Sequence, residues 1–393
     1  MENSIRTHDV IVVGAGLVGA ALALALGRAD LAVALVDPHA PPPAPAGAAW
    51  DNRVYAISPG NAAWLGELGV WPEVPPSRAE RVEAMRIFGD RPAAKLEFSA
   101  YDAGLRELAW IVEGSALQNV LWTALRSCPR IELFCPAMCG ALALDSDAAR
   151  LTLDDGRTLA ARLVVGADGA ESWVRESAGI SSTSHDYPQT GVVANFACGK
   201  PDHGTAFQWF RADGVLALLP LPGERVSMVW SATQPRAEAL LSASSDTLAT
   251  EVEAASEHVV GKLEVITTAT RFPLRRQRVA RLVRPRVALI GDAAHNVHPL
   301  AGQGMNLGFR DARELAAVIE GRGSQADCGD YYLLRRYERA RREDIAALEL
   351  VTDGLEKLFA SPAVWLAGLR NMGLSLVDSQ QSLKNLLIRH AAA

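Results

Sequence analysis

The stretch Val10-Ile-Val-Val-Gly14-Ala-Gly16-Leu-Val-Gly19 places three glycines directly after a β-branched apolar run. Such a run is typical of a buried parallel strand, and the apolar residues 20–26 that follow are typical of a buried helix. Residues 31–36 form a second apolar run, which ends at Asp37. Strand, glycine turn, helix and strand in this order predict a βαβ unit.

Each glycine of this G-x-G-x-x-G pattern has its own physical purpose. Gly14 allows a tight turn, Gly16 lets the backbone approach a pyrophosphate, and Gly19 lets the helix pack on the strand. The helix N-terminus offers N–H groups to the phosphates, and Asp37 can accept hydrogen bonds from the ribose hydroxyls of an adenosine. A packing cluster of glycines is the alternative, but the strand–helix–strand context favours a dinucleotide site.

A second glycine-rich motif lies far along the chain. The apolar run 288–290 leads into Gly291-Asp292, and a glycine loop at 302–304 precedes a helical pattern. A strand that ends in Gly-Asp presents a carboxylate at the sheet edge where ligands gather, and the loop gives the next helix an N-terminus aimed at the ligand. Two such sites in one chain suit a long ligand with a polar middle, such as FAD.

Two further patterns are weaker candidates for a functional site. The run 163–169 is a strand followed by Asp168-Gly, which by itself predicts a turn more often than a site. His295 and His298 are spaced to share a metal ion, but apart from Asp292 no carboxylate or cysteine cluster accompanies them. No metal site is therefore predicted.

Composition narrows the class of protein. The 393 residues are 49% hydrophobic and 21% charged, which is typical of a globular chain. The net charge of −6 argues against a nucleic-acid binder. Five cysteines cannot all pair within one chain, so we expect buried free thiols. The uncharged run 10–27 is broken by glycines and lacks a positive flank, so it is not interpreted as a membrane span or signal peptide.

Together these motifs resemble the class A flavoprotein monooxygenases, and within them the ubiquinone-biosynthesis hydroxylases (the UbiH/UbiI/VisC group and its mitochondrial Coq relatives). The run 291–312 is very similar to the signature of that group. Further similarity lies in Asp51-Asn-Arg53 and in residues 218–221, 229–231, 272–274 and 335–339. The resemblance covers almost the whole chain.

The resemblance implies an α/β fold in which a Rossmann-like FAD-binding domain is interleaved with a β-sheet-rich substrate domain. The expected FAD-binding domain is discontinuous and comprises residues 1–80, 105–180 and 285–325. The substrate domain is expected at 81–104 and 181–284, and a C-terminal helical region at 326–393. Within that region, residues 366–387 are interpreted as a core-packing helix, with a membrane-surface helix as the alternative.

The resemblance also assigns roles to residues of this sequence. Gly14, Gly16, Gly19 and Asp37 would hold the ADP half of FAD, and Arg53 would reach the cofactor from the loop after the second strand. Asp168 would lie near the pyrophosphate, Asp292 would bind the ribityl chain, and Gly304, Met305 and Asn306 would present backbone N–H groups to the flavin ring. Pro299 would lie where the substrate meets the flavin, and no catalytic side chain is assigned. One departure is Gly114, where many relatives carry Asn, Arg or Gln.

The implied activity is hydroxylation of a prenylated phenol in ubiquinone biosynthesis through a flavin C4a-hydroperoxide. It uses O₂ and reducing equivalents from NAD(P)H or another electron donor. Two alternatives stay open: a hydroxylase of a small soluble aromatic, which would need a cationic anchor for a carboxylate, and a non-catalytic FAD-holding scaffold in a biosynthetic complex. The expected location is the cytoplasm, with peripheral contact at the inner face of the membrane left open.

A cluster of seven arginines precedes the second motif, and its members are Arg271, Arg275, Arg276, Arg278, Arg281, Arg284 and Arg286. Such a cluster could bind NADPH phosphate, anionic lipid or nucleic acid. A solvated strand–turn face is favoured over these alternatives.

Overall fold

The computed structural model describes residues 6–42, 47, 49–89, 95–296, 304–323 and 326–360, and the side chains of the last range as far as residue 348. The strands in this part of the chain are β1 (Arg6–Val13), β2 (Val33–Val36), β3 (Val54–Ile57), β4 (Ala79–Val82), β5 (Ala84–Phe88), β6 (Lys95–Ser99), β7 (Ala109–Glu113), β8 (Ile131–Phe134), β9 (Cys139–Leu144), β10 (Ala149–Leu153), β11 (Thr158–Gly166), β12 (Ser182–Cys198), β13 (Thr205–Arg211), β14 (Gly214–Leu221), β15 (Arg225–Thr233), β16 (Leu263–Val265), β17 (Thr270–Val279), β18 (Val283–Arg284), β19 (Val287–Leu289) and β20 (His295–Asn296). The helices are α1 (Leu17–Arg28), α2 (Pro59–Glu67), α3 (Gly114–Ser127), α4 (Trp173–Ser177), α5 (Gln234–Ser242), α6 (Ser245–Ala255), α7 (Gly304–Glu320) and α8 (Tyr331–Ala360).

The first sheet has a parallel core in the order β19-β11-β1-β2-β8. Strands β9, β10 and β18 extend it in antiparallel fashion. The apolar runs predicted from the sequence form its centre, because a parallel sheet covered on both faces buries its strands completely. Val10, Ile11 and Val12 are fully buried, and α1 is buried along most of its length.

The second sheet follows the order β20-β17-β12-β15-β14-β13-β5-β6, with β16 added beside β12. Helices α5 and α6 cover one of its faces, and Phe196, Met228 and Trp230 belong to the core between them. The opposite face is turned toward the segment before β3, since the Asn195 side chain donates a hydrogen bond of 2.9 Å to the carbonyl of Asp51.

A small antiparallel sheet, β3-β7-β4, lies between the two large sheets. Val82 and Ile111 from this sheet pack with Ala206 and Leu221 from the second sheet. The expected α/β fold with a second, strand-rich part is therefore confirmed, and α7 and α8 are the last helices of the described chain.

Three expectations need comment. Arg286 does not lie on a solvated face: it is 7% exposed, has a φ of +68°, and donates hydrogen bonds to the carbonyls of Ser146 and Arg162 and to the carboxylate of Asp327. The tight turn between β18 and β19 directs this side chain inward, whereas Arg271, Arg278 and Arg281 are exposed as predicted.

The second correction concerns the thiols. All five cysteines are free, but only Cys198 and Cys328 are buried, and the other three are half-buried. The third expectation, the amphipathic segment 366–387, lies outside the described residues. No helix in the described part of the chain is both long enough and apolar enough to cross a membrane.

Candidate cofactor-binding site

Four strand ends meet at one edge of the first sheet. The registers place Val13 of β1 beside Val36 of β2 and Gly166 of β11, and Gly166 beside Leu289 of β19. The turns that follow these strands hold the predicted site residues Gly14, Asp37, Asp168 and Asp292. Parallel strands direct their carboxyl ends to the same edge, which is where open α/β sheets bind ligands.

The three glycines of the first turn differ in the space that a side chain would have. A Cβ on Gly14, whose φ is +102°, would lie 2.3 Å from the carbonyl oxygen of Ala167, and one on Gly19 would lie 2.0 Å from the carbonyl oxygen of Gly14. A Cβ on Gly16 would meet no atom of the described residues within 4 Å. Packing therefore requires the first and third glycines, while the second leaves open space at the N-cap of α1.

The second glycine motif contacts the first. The Val18 side chain lies 2.7 Å from where a Cβ on Gly308 would stand and 3.4 Å from where one on Gly291 would stand. Helices α1 and α7 therefore pack closely, with their N-termini beside each other. Close packing at a glycine allows two helix backbones to approach a common ligand.

The run 163–175 is tied to both motifs. Ile290 N donates to Gly166 O at 3.0 Å, and the buried Arg175 side chain donates to Ala293 O at 3.2 Å. Asp168 accepts hydrogen bonds from Ser172 Oγ at 2.5 Å and from Val174 N at 3.0 Å, so its carboxylate caps the short helix α4. Burial raises the pKa of this carboxyl, although these hydrogen bonds oppose the rise.

Asp37 already has backbone partners. Its Oδ2 accepts a hydrogen bond of 2.7 Å from Ala15 N, and its Oδ1 accepts one of 2.8 Å from His39 N. The half-buried carboxylate thus fixes the glycine turn and the loop after β2. Each oxygen retains acceptor capacity, because an ionised carboxylate offers about four lone-pair sites.

An open cleft of about 270 Å³ begins at the glycine turn. Its lining includes Gly16, Asp37 and the predicted Arg53, together with Tyr55 and Gln118, which the sequence did not single out. Gln118 Nε2 donates a hydrogen bond of 2.7 Å to Ala15 O, and so attaches α3 to the glycine turn. No local pattern indicates this contact, since it joins residues 103 positions apart.

Glu113 supports the loop that carries Arg53. It is 1% exposed, and its two oxygens accept hydrogen bonds from Asp51 N at 2.6 Å and from Arg78 at 2.9 Å. Burial raises the pKa of its carboxyl, and the bonds to Asp51 and Arg78 oppose that rise. This buried ion pair fixes the start of the Asp51-Asn-Arg53 segment. It was not predicted from the sequence.

Asp292 lies in the single turn of 3-10 helix Gly291–Ala293. Its side chain is exposed to solvent, yet desolvation raises the pKa of its carboxyl, which fits a carboxylate in a narrow recess. The positive charge of His295 opposes this rise and Asp311 adds to it. Among the described residues the Asp292 carboxylate has no hydrogen-bond partner, so it can accept bonds from a ligand's hydroxyls.

His295 belongs to a buried ionic network. Its Nε2 lies 2.5 Å from Asp311 Oδ2, which also accepts a hydrogen bond of 2.9 Å from Gly291 N. Arg341 of α8 donates to the other oxygen of Asp311 at 2.8 Å. The network holds the Gly-Asp turn against α7 and α8. His298, the other histidine of the weighed pair, lies outside the described residues.

Asn306 connects the N-terminus of α7 to the segment after β3. Its Oδ1 accepts a hydrogen bond of 2.8 Å from Ser58 N, and its Nδ2 donates one of 2.8 Å to Ala56 O. The side chain is therefore occupied by the protein itself. Backbone N–H groups in the first turn of a helix, which here holds Gly304 and Met305, have no partner within the helix and can face a ligand. Pro299 lies outside the described residues.

These features fit FAD. The free space at Gly16, the unpartnered carboxylate of Asp292 and two adjacent helix N-termini offer acceptors to ribityl hydroxyls and donors to phosphates. The cleft connects the space at Gly16 with Asp37 and Arg53. A mononucleotide would leave one of the two helix N-termini without a partner.

Comparisons with known proteins agree with this geometry. The FAD binding domain family model matches residues 7–350. The ubiquinone hydroxylase UbiL of Rhodospirillum rubrum is 35% identical over 98% of this chain and 90% of that protein. The 3-demethoxyubiquinol 3-hydroxylase of Escherichia coli is 33% identical over 98% of both chains. The crystal structure of PqsL, a probable FAD-dependent monooxygenase from Pseudomonas aeruginosa, shares the fold with a TM-score of 0.79 at 23% identity, over 94% of this chain and 100% of that one.

Proposed function

Because the chain belongs to the FAD-binding family of ubiquinone-biosynthesis hydroxylases and is an FAD-dependent monooxygenase, we propose that it hydroxylates the aromatic ring of a prenylated phenol that is a precursor of ubiquinone. The relatives supply the class of reaction. The observation that carries the choice of substrate is the character of the sheet face that is turned toward the cleft.

The hydrogen bond from Asn195 to Asp51 identifies this face of the second sheet. Alternate residues of a strand share a face, and so do directly opposed residues of antiparallel neighbours. The registers of β12 to β15 then place these residues on the face of Asn195: Gln189, Gly191, Val193, Ala197, Gln208, Phe210, Val215, Ala217, Leu219, Leu221, Arg225, Ser227, Val229, Ser231 and Thr233.

Among these described positions only Arg225, the first residue of β15, carries a charge, and its guanidinium already packs over the ring of Trp50 and donates a hydrogen bond to the carbonyl of Pro222. The other positions are uncharged. A small aromatic acid would need a cationic partner here, because a buried carboxylate without one is costly. A prenylated phenol needs apolar surface for its tail and a few neutral polar groups for its hydroxyl. Gln208 and Ser231, both buried, are suitable neutral groups. The sheet face thus supports the prenylated phenol over the small soluble acid.

For the ADP half of FAD, we propose that the N-terminus of α1 and the space at Gly16 hold the pyrophosphate. Gly14 and Gly19 shape this turn, and Asp37 accepts the adenosine ribose hydroxyls. The Arg53 guanidinium contributes a positive charge beside the phosphates. The Asp168 carboxylate accepts hydrogen bonds from Ser172 and Val174. Its role near the pyrophosphate is therefore to fix the turn after β11.

For the flavin half, Asp292 accepts hydrogen bonds from the ribityl hydroxyls, and the first-turn N–H groups at Gly304, Met305 and Asn306 face the ring. When bound, FAD supplies the redox chemistry and the activation of O₂. The positive end of α7 would stabilise negative charge on the ring. The second sheet would limit the access of water to it. We also propose that Pro299, which lies outside the described residues, is on the substrate side of the flavin.

The test is a reaction of the purified, FAD-loaded protein with O₂ and NADH or NADPH, offered in parallel a set of prenylphenols and a set of aromatic acids. We expect reductant oxidation that depends on a prenylphenol, and a product heavier by one oxygen in the mass spectrum. Turnover of an aromatic acid instead would replace the proposed substrate. Tight FAD binding without O₂ consumption with either reductant or a chemical donor would support the scaffold alternative.

We further propose that the domain division follows the sheets, with 81–104 and 181–284 forming the substrate domain. Strands β5, β6 and β12 to β17 of the second sheet support this division. A prenylated substrate partitions into bilayers, so we propose that the protein meets it at a membrane surface. Co-sedimentation with anionic vesicles, with and without substrate, tests that contact.

A further inference from the structure

Tyr55 stands between the two halves of the cofactor site. It lies on β3 and lines the same cleft as Gly16 and Asp37. The charges that shift the pKa of its hydroxyl are those of Arg53, Asp292 and Asp51, so its side chain also lies near the carboxylate of the flavin half.

The ring of Tyr55 takes its position from Gly114. A Cβ on Gly114 would lie 2.8 Å from Tyr55 Cε2 and 3.1 Å from Arg53 O, and Gly114 N donates a hydrogen bond of 2.7 Å to the same carbonyl. The absence of a side chain at 114 thus gives the aromatic ring its space. The space that a side chain at position 114 would occupy is filled by the ring of Tyr55 from the neighbouring strand β3.

The hydroxyl of Tyr55 has no hydrogen-bond partner among the described residues. Burial, the largest influence, raises the pKa of this phenol, Arg53 lowers it, and Asp292 and Asp51 raise it. The phenol therefore stays protonated and can donate. A half-buried donor at the edge of a cleft usually finds an acceptor, because an unsatisfied polar group costs free energy.

We propose that Tyr55 is a cofactor-binding residue whose hydroxyl donates a hydrogen bond to the ribityl phosphate of FAD, and that Gly114 positions its ring. The proposal rests on FAD as the cofactor and is independent of the substrate. All its tests measure flavin binding without turnover, so a wrong substrate would leave their outcome unchanged.

The first test compares Tyr55→Phe with wild type by titrating the flavin-free protein with FAD and with FMN. Both flavins contain the ribityl phosphate, so we expect both dissociation constants to rise about ten-fold. The melting temperature of the flavin-free protein should stay unchanged, because the hydroxyl has no partner within it. The matched control is Tyr332→Phe, at a site that is 80% exposed, and it should bind both flavins normally.

Unchanged dissociation constants in Tyr55→Phe would overturn the proposal. A loss for FAD alone would also overturn it, because it would place the hydroxyl at the adenosine side. The variant Asp37→Ala serves as a reference for that second pattern.

The second test is a double-mutant cycle with Gly114→Ala. The added methyl group should push the ring aside and weaken FAD binding about as much as Tyr55→Phe does. In the Tyr55→Phe background it should then add little, because the hydroxyl bond is already absent. Additive losses would show that position 114 acts on the cofactor by itself, and would overturn the positioning role.

Discussion

The Asp37 carboxylate accepts hydrogen bonds from the backbone and can also accept them from the ligand. Its bonds to Ala15 N and His39 N show that it stabilises the turn with or without a cofactor. We expect Asp37→Ala to lower the unfolding free energy of the flavin-free protein by about 1–3 kcal/mol. It should also weaken FAD but not FMN, which has no adenosine ribose. Equal losses for both flavins would restrict Asp37 to its structural role.

Asp292 differs because its carboxylate has no hydrogen-bond partner among the described residues. Asp292→Ala should weaken FAD binding about ten- to hundred-fold, the value of a hydrogen bond with a charged partner. It should leave the flavin-free protein at least as stable as wild type, since a desolvated carboxyl with a raised pKa is removed. Fluorescence titration and thermal melts measure both quantities. An unaltered dissociation constant would argue against the ribityl role.

At the scale of elements, α7 is held to α8 and to the Gly-Asp turn by Asp311. Burial would lower the pKa of His295, but the charge and hydrogen bond of Asp311 outweigh it and raise that pKa above 6.5. Burial would likewise raise the pKa of Asp311, but His295 and Arg341 outweigh it and lower that pKa below 3.8. The network is therefore charged, with both partners ionised, between these two values.

This linkage gives a pH dependence with a definite sign. The stabilisation from His295 is complete below 6.5 and is lost as the pH rises through its raised pKa, whereas that from Asp311 is lost only as the pH falls through its lowered pKa. We expect the unfolding free energy in urea titrations to decline on the alkaline side, and the decline to be smaller in His295→Gln. An equal decline in that variant would assign the effect to other groups.

At the scale of the whole molecule, the site is assembled from segments that lie between residues 14 and 306. A ligand that contacts all of them binds the folded chain and not the unfolded one. FAD at about 100 times its dissociation constant should therefore raise the unfolding free energy by about 2.7 kcal/mol. Differential scanning calorimetry at several FAD concentrations measures this. A melting temperature independent of FAD would contradict the assembled site.

The sequence by itself determined the elements whose signals are local. The β-branched run before Gly14, the spacing of the glycines and the Gly291-Asp292 turn predicted strands, helix starts and a dinucleotide site, because each depends on a few neighbouring residues. The resemblance in the same motifs also indicated the family and the cofactor. The Arg286 side chain was assigned wrongly, because nothing local shows that its turn directs it inward.

Only the tertiary structure decided which groups meet. Alignment of β1, β2, β11 and β19 brings the four predicted turns to one edge. There the Asp168 carboxylate accepts a hydrogen bond from Ser172, whereas the Asp292 carboxylate has no hydrogen-bond partner among the described residues. Tyr55, Glu113 and Gln118 join the site through contacts between distant segments. Such contacts depend on how sheets and helices pack, and no periodicity or spacing along the chain records that packing.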